Sequence, residues 1–271
     1  MEMKNNKEDV TDKQSELLEK CLVELAGCEK EMDEAEKDAE IYRIRKTQEI
    51  YAKRRSILRN IPKFWYIVLA ENDDFSEYLG IDDLKYLEAI NDIYVHYNVA
   101  DSDDISHYRD YSITLSFKDN ELIQDQTITK EFKTSIEEGE EMLYLEPVDV
   151  NWPKELDSIN PRLIKEQTKA GELSKEQKKQ YRLGMKSFFA WFAWTGKKPG
   201  KEFRNGEDVA RLITDDLFPY AVKYYTEAMP GIGEEDSFED SSEGEELDIS
   251  DDEPPKKKRA QNSQAGLLTD H

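Results

Sequence analysis

The chain has 271 residues, with 61 Asp+Glu against 38 Lys+Arg and a formal net charge of −23. That charge excludes a nucleic-acid binder held by phosphate contacts alone, so strong direct DNA binding is not expected, and it points to basic partners. Hydrophobic and charged residues each make up 37% of the whole, but they are segregated: aromatic-rich stretches can build one core, and charge-rich stretches cannot.

Residues 1–10 show no folding signal and are expected to be disordered. From Thr11 to Asn60 there is no proline and a single glycine, Gly27, which predicts one long helix over residues 11–60. Thr11 with Gln14 reads as a capping box at its start, and Pro62 closes it. With Leu18 at position a, the a and d positions are Leu18, Cys21, Leu25, Cys28, Met32, Ala35, Ala39 and Tyr42, flanked by Leu22. This is a coiled-coil seam. The register fails at Lys46 and Glu49, and an apolar stripe resumes as Ile50, Tyr51, Ile57, Leu58 and Ile61, as a stutter or a change of packing partner would produce. A helix of about 48 residues is roughly 70 Å long, whereas a body of about 160 residues is on the order of 40 Å across. A helix folded back on its own domain would leave much of the stripe in water, so a homodimer is expected. Cys21 and Cys28 suit same-face thiols better than a disulfide.

Residues 61–229 read as one α+β domain. Phe64–Ala70 is a short buried helix, and no wholly apolar run in the chain is longer than its seven residues, far below the roughly 20 residues that cross a bilayer; no membrane association is expected. Alternating segments at 93–97, 111–117 and 126–132, with a fourth near Leu143 to Val148, predict an antiparallel sheet with local links. After Pro153 the pattern turns helical: a short segment to Ile159, a basic stretch from Lys165 to Arg182, and the aromatic run Met185 to Trp194. A final helix from Val209 to Met229 carries a probable kink at Pro219. Phe188, Phe189, Trp191, Phe192 and Trp194 crowd one segment that is apolar nearly all round, which marks core rather than a nucleic-acid stacking platform.

Residues 230–271 form a tail. Twelve acidic residues and no Lys or Arg lie between Pro230 and Pro254, a composition expected to stay disordered. Glu234, Glu235, Asp236, Glu239 and Asp240 are its candidate sites for a basic partner. Lys256, Lys257, Lys258 and Arg259 follow, a basic cluster of the kind read by a nuclear import receptor, so the nucleus is the expected location. Residues 1–229 alone carry 48 acidic and 34 basic residues, a net charge of −14, so the body is acidic in its own right.

Catalytic signals are missing. His96, His107 and His271 have no metal spacing with one another or with the cysteines, nucleophile elbows do not occur, and the turn from Gly196 to Lys201 misses the phosphate-loop spacing, with Glu202 in place of Ser/Thr. No enzyme, metal or cofactor is expected. Lys175, Lys178, Lys179, Arg182, Lys197, Lys198 and Lys201 make a locally basic region, read first as a solvated face and second as a contact for an acidic partner or nucleic acid.

These features together suit an acidic nuclear dimer that handles basic proteins, and particular residues carry a family resemblance. The helix running into Ile61-Pro62-Lys63-Phe64-Trp65, the segment Arg109-Asp110-Tyr111-Ser112-Ile113, the block Ser187-Phe188-Phe189-Ala190-Trp191-Phe192 and the segment Asp215 to Tyr225 resemble the nucleosome assembly protein and SET family of histone chaperones. Asp157-Ser158-Ile159-Asn160-Pro161 and Trp194 to Phe203 are most similar to its fungal Vps-type branch, which partners a histone acetyltransferase. The resemblance covers about residues 10–229. It implies a long dimerisation helix followed by an "earmuff" α+β domain. It also implies a chaperone of core histones, chiefly histones 3 and 4, that presents them to an acetyltransferase and promotes nucleosome assembly. By position and resemblance, Asp215 and Asp216 are expected on a histone-facing surface; the family pattern has a glutamate pair there, so charge is kept. The rival readings are a coiled-coil scaffold that binds no histones and, by kinship alone, a phosphatase inhibitor.

Overall fold

The computed structural model describes residues 5–80, 82–137, 140–168 and 172–229. Helix α1 spans Asn5–Leu58, 54 residues and about 80 Å at 1.5 Å per residue. It starts at Asn5 rather than at Thr11, so residues 5–10 are helical and not disordered as expected. No Pro or Gly interrupts Asn5 to Thr11, and the Thr11–Gln14 pair lies inside the helix rather than capping it.

The short helix α2 spans Phe64–Glu71 and buries Phe64, Trp65, Val68 and Leu69. Two single turns follow, α3 at Asp73–Ser76 and α4 at Leu84–Leu87. The sheet comes next: β1 (Ile90–Tyr97), β2 (Tyr111–Phe117), β3 (Gln126–Glu137) and β4 (Glu140–Tyr144), all antiparallel in the order β1-β2-β3-β4. The meander was legible; the fourth strand, expected near Leu143 to Val148, includes Leu143 and Tyr144 but starts earlier and ends at Tyr144. Val148 instead donates its N–H to the Phe192 carbonyl at 2.9 Å, which draws that segment onto the aromatic block.

Period two fixes the inner face. Ile93 faces Leu115, Val95 faces Ile113, and Leu115 faces Ile128, and all are buried. Lys130, opposite Ile113, sits on the same face at 0% exposure. Its ammonium donates to the carbonyls of Trp194 (2.7 Å), Phe192 (3.0 Å) and Glu146 (3.3 Å). A cation thus ties β3 to the far side of the core.

The helical half covers that face. The basic stretch from Lys165 to Arg182 spans parts of two helices: α5 (Pro161–Gln167), capped by Asn160, and α6 (Lys175–Gly184), opened by a Ser174–Gln177 capping box. Phe188–Ala193 is a 3-10 segment, with Phe188, Phe189, Trp191 and Phe192 each at 0% exposure. The tighter pitch lets successive aromatics pack on all sides. Asp83 holds its start: the buried carboxylate accepts from the Phe188 N–H (2.6 Å), the Ser187 hydroxyl (2.7 Å) and the Gly80 N–H (2.6 Å). At the other end, the Trp191 indole donates to the Gly206 carbonyl at 2.8 Å, and Gly206 lies so close to Trp194 that an added Cβ would fall 2.2 Å from its ring.

The helix expected over Val209–Met229 is broken. Helix α7 spans Gly206–Arg211, a π-helical turn spans Leu212–Leu217, and α8 spans Ala221–Ala228. The Phe218 N–H reaches the Ile213 carbonyl at 2.9 Å, and the chain turns at Pro219, which cannot continue the ladder.

Candidate functional site

Helix α1 has two faces. Ile41, Ile44, Gln48 and Leu58 are buried against the domain, and the contact is largely polar. The Gln48 amide donates to the Tyr94 hydroxyl (2.7 Å) and the Val95 carbonyl (3.1 Å). Arg45 reaches the Val99 and Ser102 carbonyls at 3.1 and 2.8 Å. Arg54 donates to the carbonyls of Phe218 and Pro219. Asp92, 1% exposed, is clamped by Arg55 and Arg59. Every seam residue, Leu18, Cys21, Leu22, Leu25, Cys28, Met32, Ala35, Ala39 and Tyr42, is exposed in the single chain. Ile50 and Ile57 are also exposed, at 60% and 63%. At 100° per residue these two fall on the continuation of the seam, roughly 150° from the domain-facing positions. The resumed stripe therefore mixes two faces: Tyr51 and Leu58 turn to the domain, while Ile50 and Ile57 extend the open seam.

The adjacent pair Asp215 and Asp216 is split by the π turn. Asp216 is half-buried and accepts from the Tyr224 hydroxyl (2.7 Å) and the Asn72 amide (3.4 Å); that bond holds the Tyr224 phenol above its ordinary pKa. It ties α8 to the start of α3. Asp215 is exposed, accepts from the neighbouring Thr214 hydroxyl at 2.8 Å, and faces an open concavity of about 260 Å³ together with Glu40, Glu207, Arg211, Tyr97 and Tyr111. Burial, with the nearby Asp215 charge second, pushes the Tyr97 phenol up to about 12, and Tyr111 is raised for the same reasons. Both rings stay neutral and acceptor-rich.

Glu40, Arg109 and Thr134 are shared with a larger neighbouring groove of about 800 Å³ between α1 and the loop before β2, whose α1 wall presents Asp33, Glu34, Glu36 and Glu40. Two of the groove's cations are partly satisfied: Arg211 pairs with Glu207 at 2.7 Å, and Lys37 lies over the Tyr108 ring. Asp33, Glu36, Glu40 and Asp215 form no direct ion pair among the described residues, although the Asp215 charge helps hold the Arg211 pKa up. The arrangement offers a run of carboxylates held on rigid elements beside tyrosine faces, able to take Lys or Arg side chains by charge-assisted hydrogen bonds and cation–π contact.

Sequence reasoning found Asp215 but missed Glu40 and Glu207, which only the docking of α1 and α7 brings to it. Glu40 lies between the two faces of α1, a position that no heptad marks. The other acidic candidates, Glu234, Glu235, Asp236, Glu239 and Asp240, lie outside the described residues, as do Lys256, Lys257, Lys258 and Arg259. No cluster of His, Cys, Asp or Glu able to hold a metal occurs among the described residues; His96 pairs with Asp101 at 3.1 Å.

The family model for nucleosome assembly protein matches residues 4–228. Vacuolar protein sorting-associated protein 75 of Saccharomyces cerevisiae is 39% identical over 256 residues, covering 89% of this chain and 95% of that protein. A solved structure titled as the Vps75 histone chaperone superposes with a TM-score of 0.68 at 39% identity over 77% of this chain and 98% of the other. The crystal structure of Ccp1 does so with a TM-score of 0.58 at 31% identity over 78% and 96%. A long helix leading into a four-stranded meander closed by an aromatic 3-10 segment, matched in sequence over nearly its whole length, places this chain in the nucleosome assembly protein family.

Proposed function

We propose that this protein is a homodimeric histone chaperone that binds core histones, chiefly histones 3 and 4, in the acidic groove, shields their charge and delivers them for nucleosome assembly. The observation that carries the reading is the set of unpaired carboxylates Asp33, Glu36, Glu40 and Asp215, fixed on a helix and a turn beside Tyr97 and Tyr111. Rigid carboxylates lose less conformational entropy on binding than those on a flexible chain, so they can select a histone's shape as well as its charge. Histones bound there are withheld from nonspecific capture by DNA and released where ordered histone–DNA contacts are stronger. The step needs no ATP or metal.

Dimerisation is supported by the open face of α1. Leu18, Leu22, Leu25, Met32, Ile50 and Ile57 are each 56–63% exposed on one side of a single helix. Covering them with a second copy would gain on the order of 10 kcal/mol per protomer. Presentation of the histones to an acetyltransferase and entry to the nucleus through Lys256–Arg259 complete the reading; both rest on the family relationship and the tail sequence.

Purified histones 3 and 4 titrated into the full-length protein at near-physiological salt test it. Saturable binding with a fixed stoichiometry per dimer is expected. Absence of saturation would favour a coiled-coil scaffold without histone contact.

A further inference from the structure

A second concavity, sharing no lining residue with the acidic groove, has the opposite chemistry. It holds about 290 Å³, at the small end of the roughly 300–1,000 Å³ typical of ligand pockets. Its floor is apolar, built on buried Phe189 and half-buried Trp152, and its rim carries Arg162, Lys165, Lys198 and Lys201. Two carboxylates also border it, and neither forms a direct ion pair with a rim lysine, although the Glu202 charge is felt by Lys198. Asp149 pairs with Arg162 at 3.2 Å. The Glu202 carboxylate is turned into the adjoining turn, where it accepts from the Thr195 N–H and hydroxyl and from the Gly196 N–H at 2.7–3.0 Å.

That turn fixes how the cations are offered. Gly196 and Gly200 both take φ of 74°, the left-handed region open to glycine, and Glu202 pins the first of them. Lys198 and Lys201 project from this held turn, exposed and in no direct ion pair among the described residues, with the Glu202 charge acting on Lys198 from a distance. On a chain of net charge −23, a ring of four cations around an apolar floor is a local inversion of the surface, which long-range electrostatics would not place there to attract histones.

We propose that this pocket binds an acidic peptide segment of a partner protein that inserts one large apolar side chain, such as Phe, between flanking Asp and Glu residues. The floor takes the apolar anchor, and Lys198 and Lys201 take the flanking carboxylates. Cavity size selects a side chain or two rather than a strand of nucleotides, and a chain of net charge −23 disfavours a long polyanion more than a short acidic segment. The chaperone would then hold a basic cargo in one groove and an acidic partner in the other without competition between them.

The test uses full-length protein and a fluorescein-labelled dodecapeptide of Asp and Glu with one central Phe, read by fluorescence anisotropy. Saturable binding is expected, weakened at least tenfold when the peptide Phe is replaced by Ala and at least tenfold in Lys198→Glu with Lys201→Glu. Lys198→Gln with Lys201→Gln, which keeps side-chain size, should weaken it by a smaller factor, and circular dichroism checks that both variants keep the fold. The proposal is overturned if the unmodified protein shows no saturation, if the charge-reversed variant or the Ala peptide binds equally well, or if a twelve-nucleotide single strand binds in preference to the peptide.

Discussion

Asp83 and Lys130 show how single buried charges organise the core that positions the site. Asp83, at 1% exposure, is the acceptor for three donors at the start of the aromatic segment. Asp83→Ala strands those donors and should destabilise the fold by about 2–4 kcal/mol, measured by urea unfolding; a change under about 0.5 kcal/mol would mean that the segment caps itself. Burial lowers the Lys130 ammonium from 10.5 to about 8, with Glu202 and Glu146 opposing the shift. The unfolded chain therefore binds more protons at this group between about pH 8 and 10.5, so its contribution to stability rises with pH across that window. The cost of holding the charge is present in full below pH 8. Lys130→Met should remove this rise, visible as a stability difference between the two proteins that changes steadily from pH 8 to 10; a constant difference, that is parallel curves, would place the ammonium in a site as hospitable as water.

Helix α1 shows where element-scale reading succeeds and where it stops. Strands β1 to β3 were legible because alternation of β-branched and aromatic residues writes the buried face directly, and the seam was legible because apolar residues recur every three and four positions among charges. The domain-facing side was not. It docks through Arg45, Gln48, Arg54 and Arg55, long polar residues that look solvent-facing in a sequence, so its periodicity was hidden and Ile50 and Ile57 were grouped with the wrong neighbours. The π turn at Leu212–Leu217 was hidden too, since nothing in its composition distinguishes it from an α-helix. This same turn separates Asp215 from Asp216, so half of the expected acidic pair is a structural acceptor. Because Leu25 and Met32 are exposed in the single chain, Leu25→Glu with Met32→Glu should leave the domain folded. It would place four carboxylates in a dimer seam, at a cost of several kcal/mol. Light scattering at micromolar concentration should report a dimer for the unmodified protein and a monomer for the variant; a monomer mass for the unmodified protein would end the dimer proposal.

At the scale of the whole molecule, the groove carboxylates, the acidic residues of 230–254 and the basic residues Lys256–Arg259 make separable predictions. Changing Lys256, Lys257, Lys258 and Arg259 to Ala should abolish nuclear accumulation in cells while leaving histone binding in vitro within about twofold, since none of the four lines the acidic groove; unchanged accumulation would mean that import depends on a partner. The central claim concerns the groove. Deleting residues 230–271 should weaken binding of histones 3 and 4 by a few-fold and reduce its salt dependence, as removal of diffuse charge does. Glu40→Lys with Asp215→Lys should cost about tenfold or more, because repulsion is added to lost attraction, and it spares Asp216 with its structural bonds to Tyr224 and Asn72. Fluorescence titration of both variants at two salt concentrations decides between them: the account predicts the larger loss in the double Lys variant, and it is contradicted if tail deletion abolishes binding while the double Lys variant binds normally.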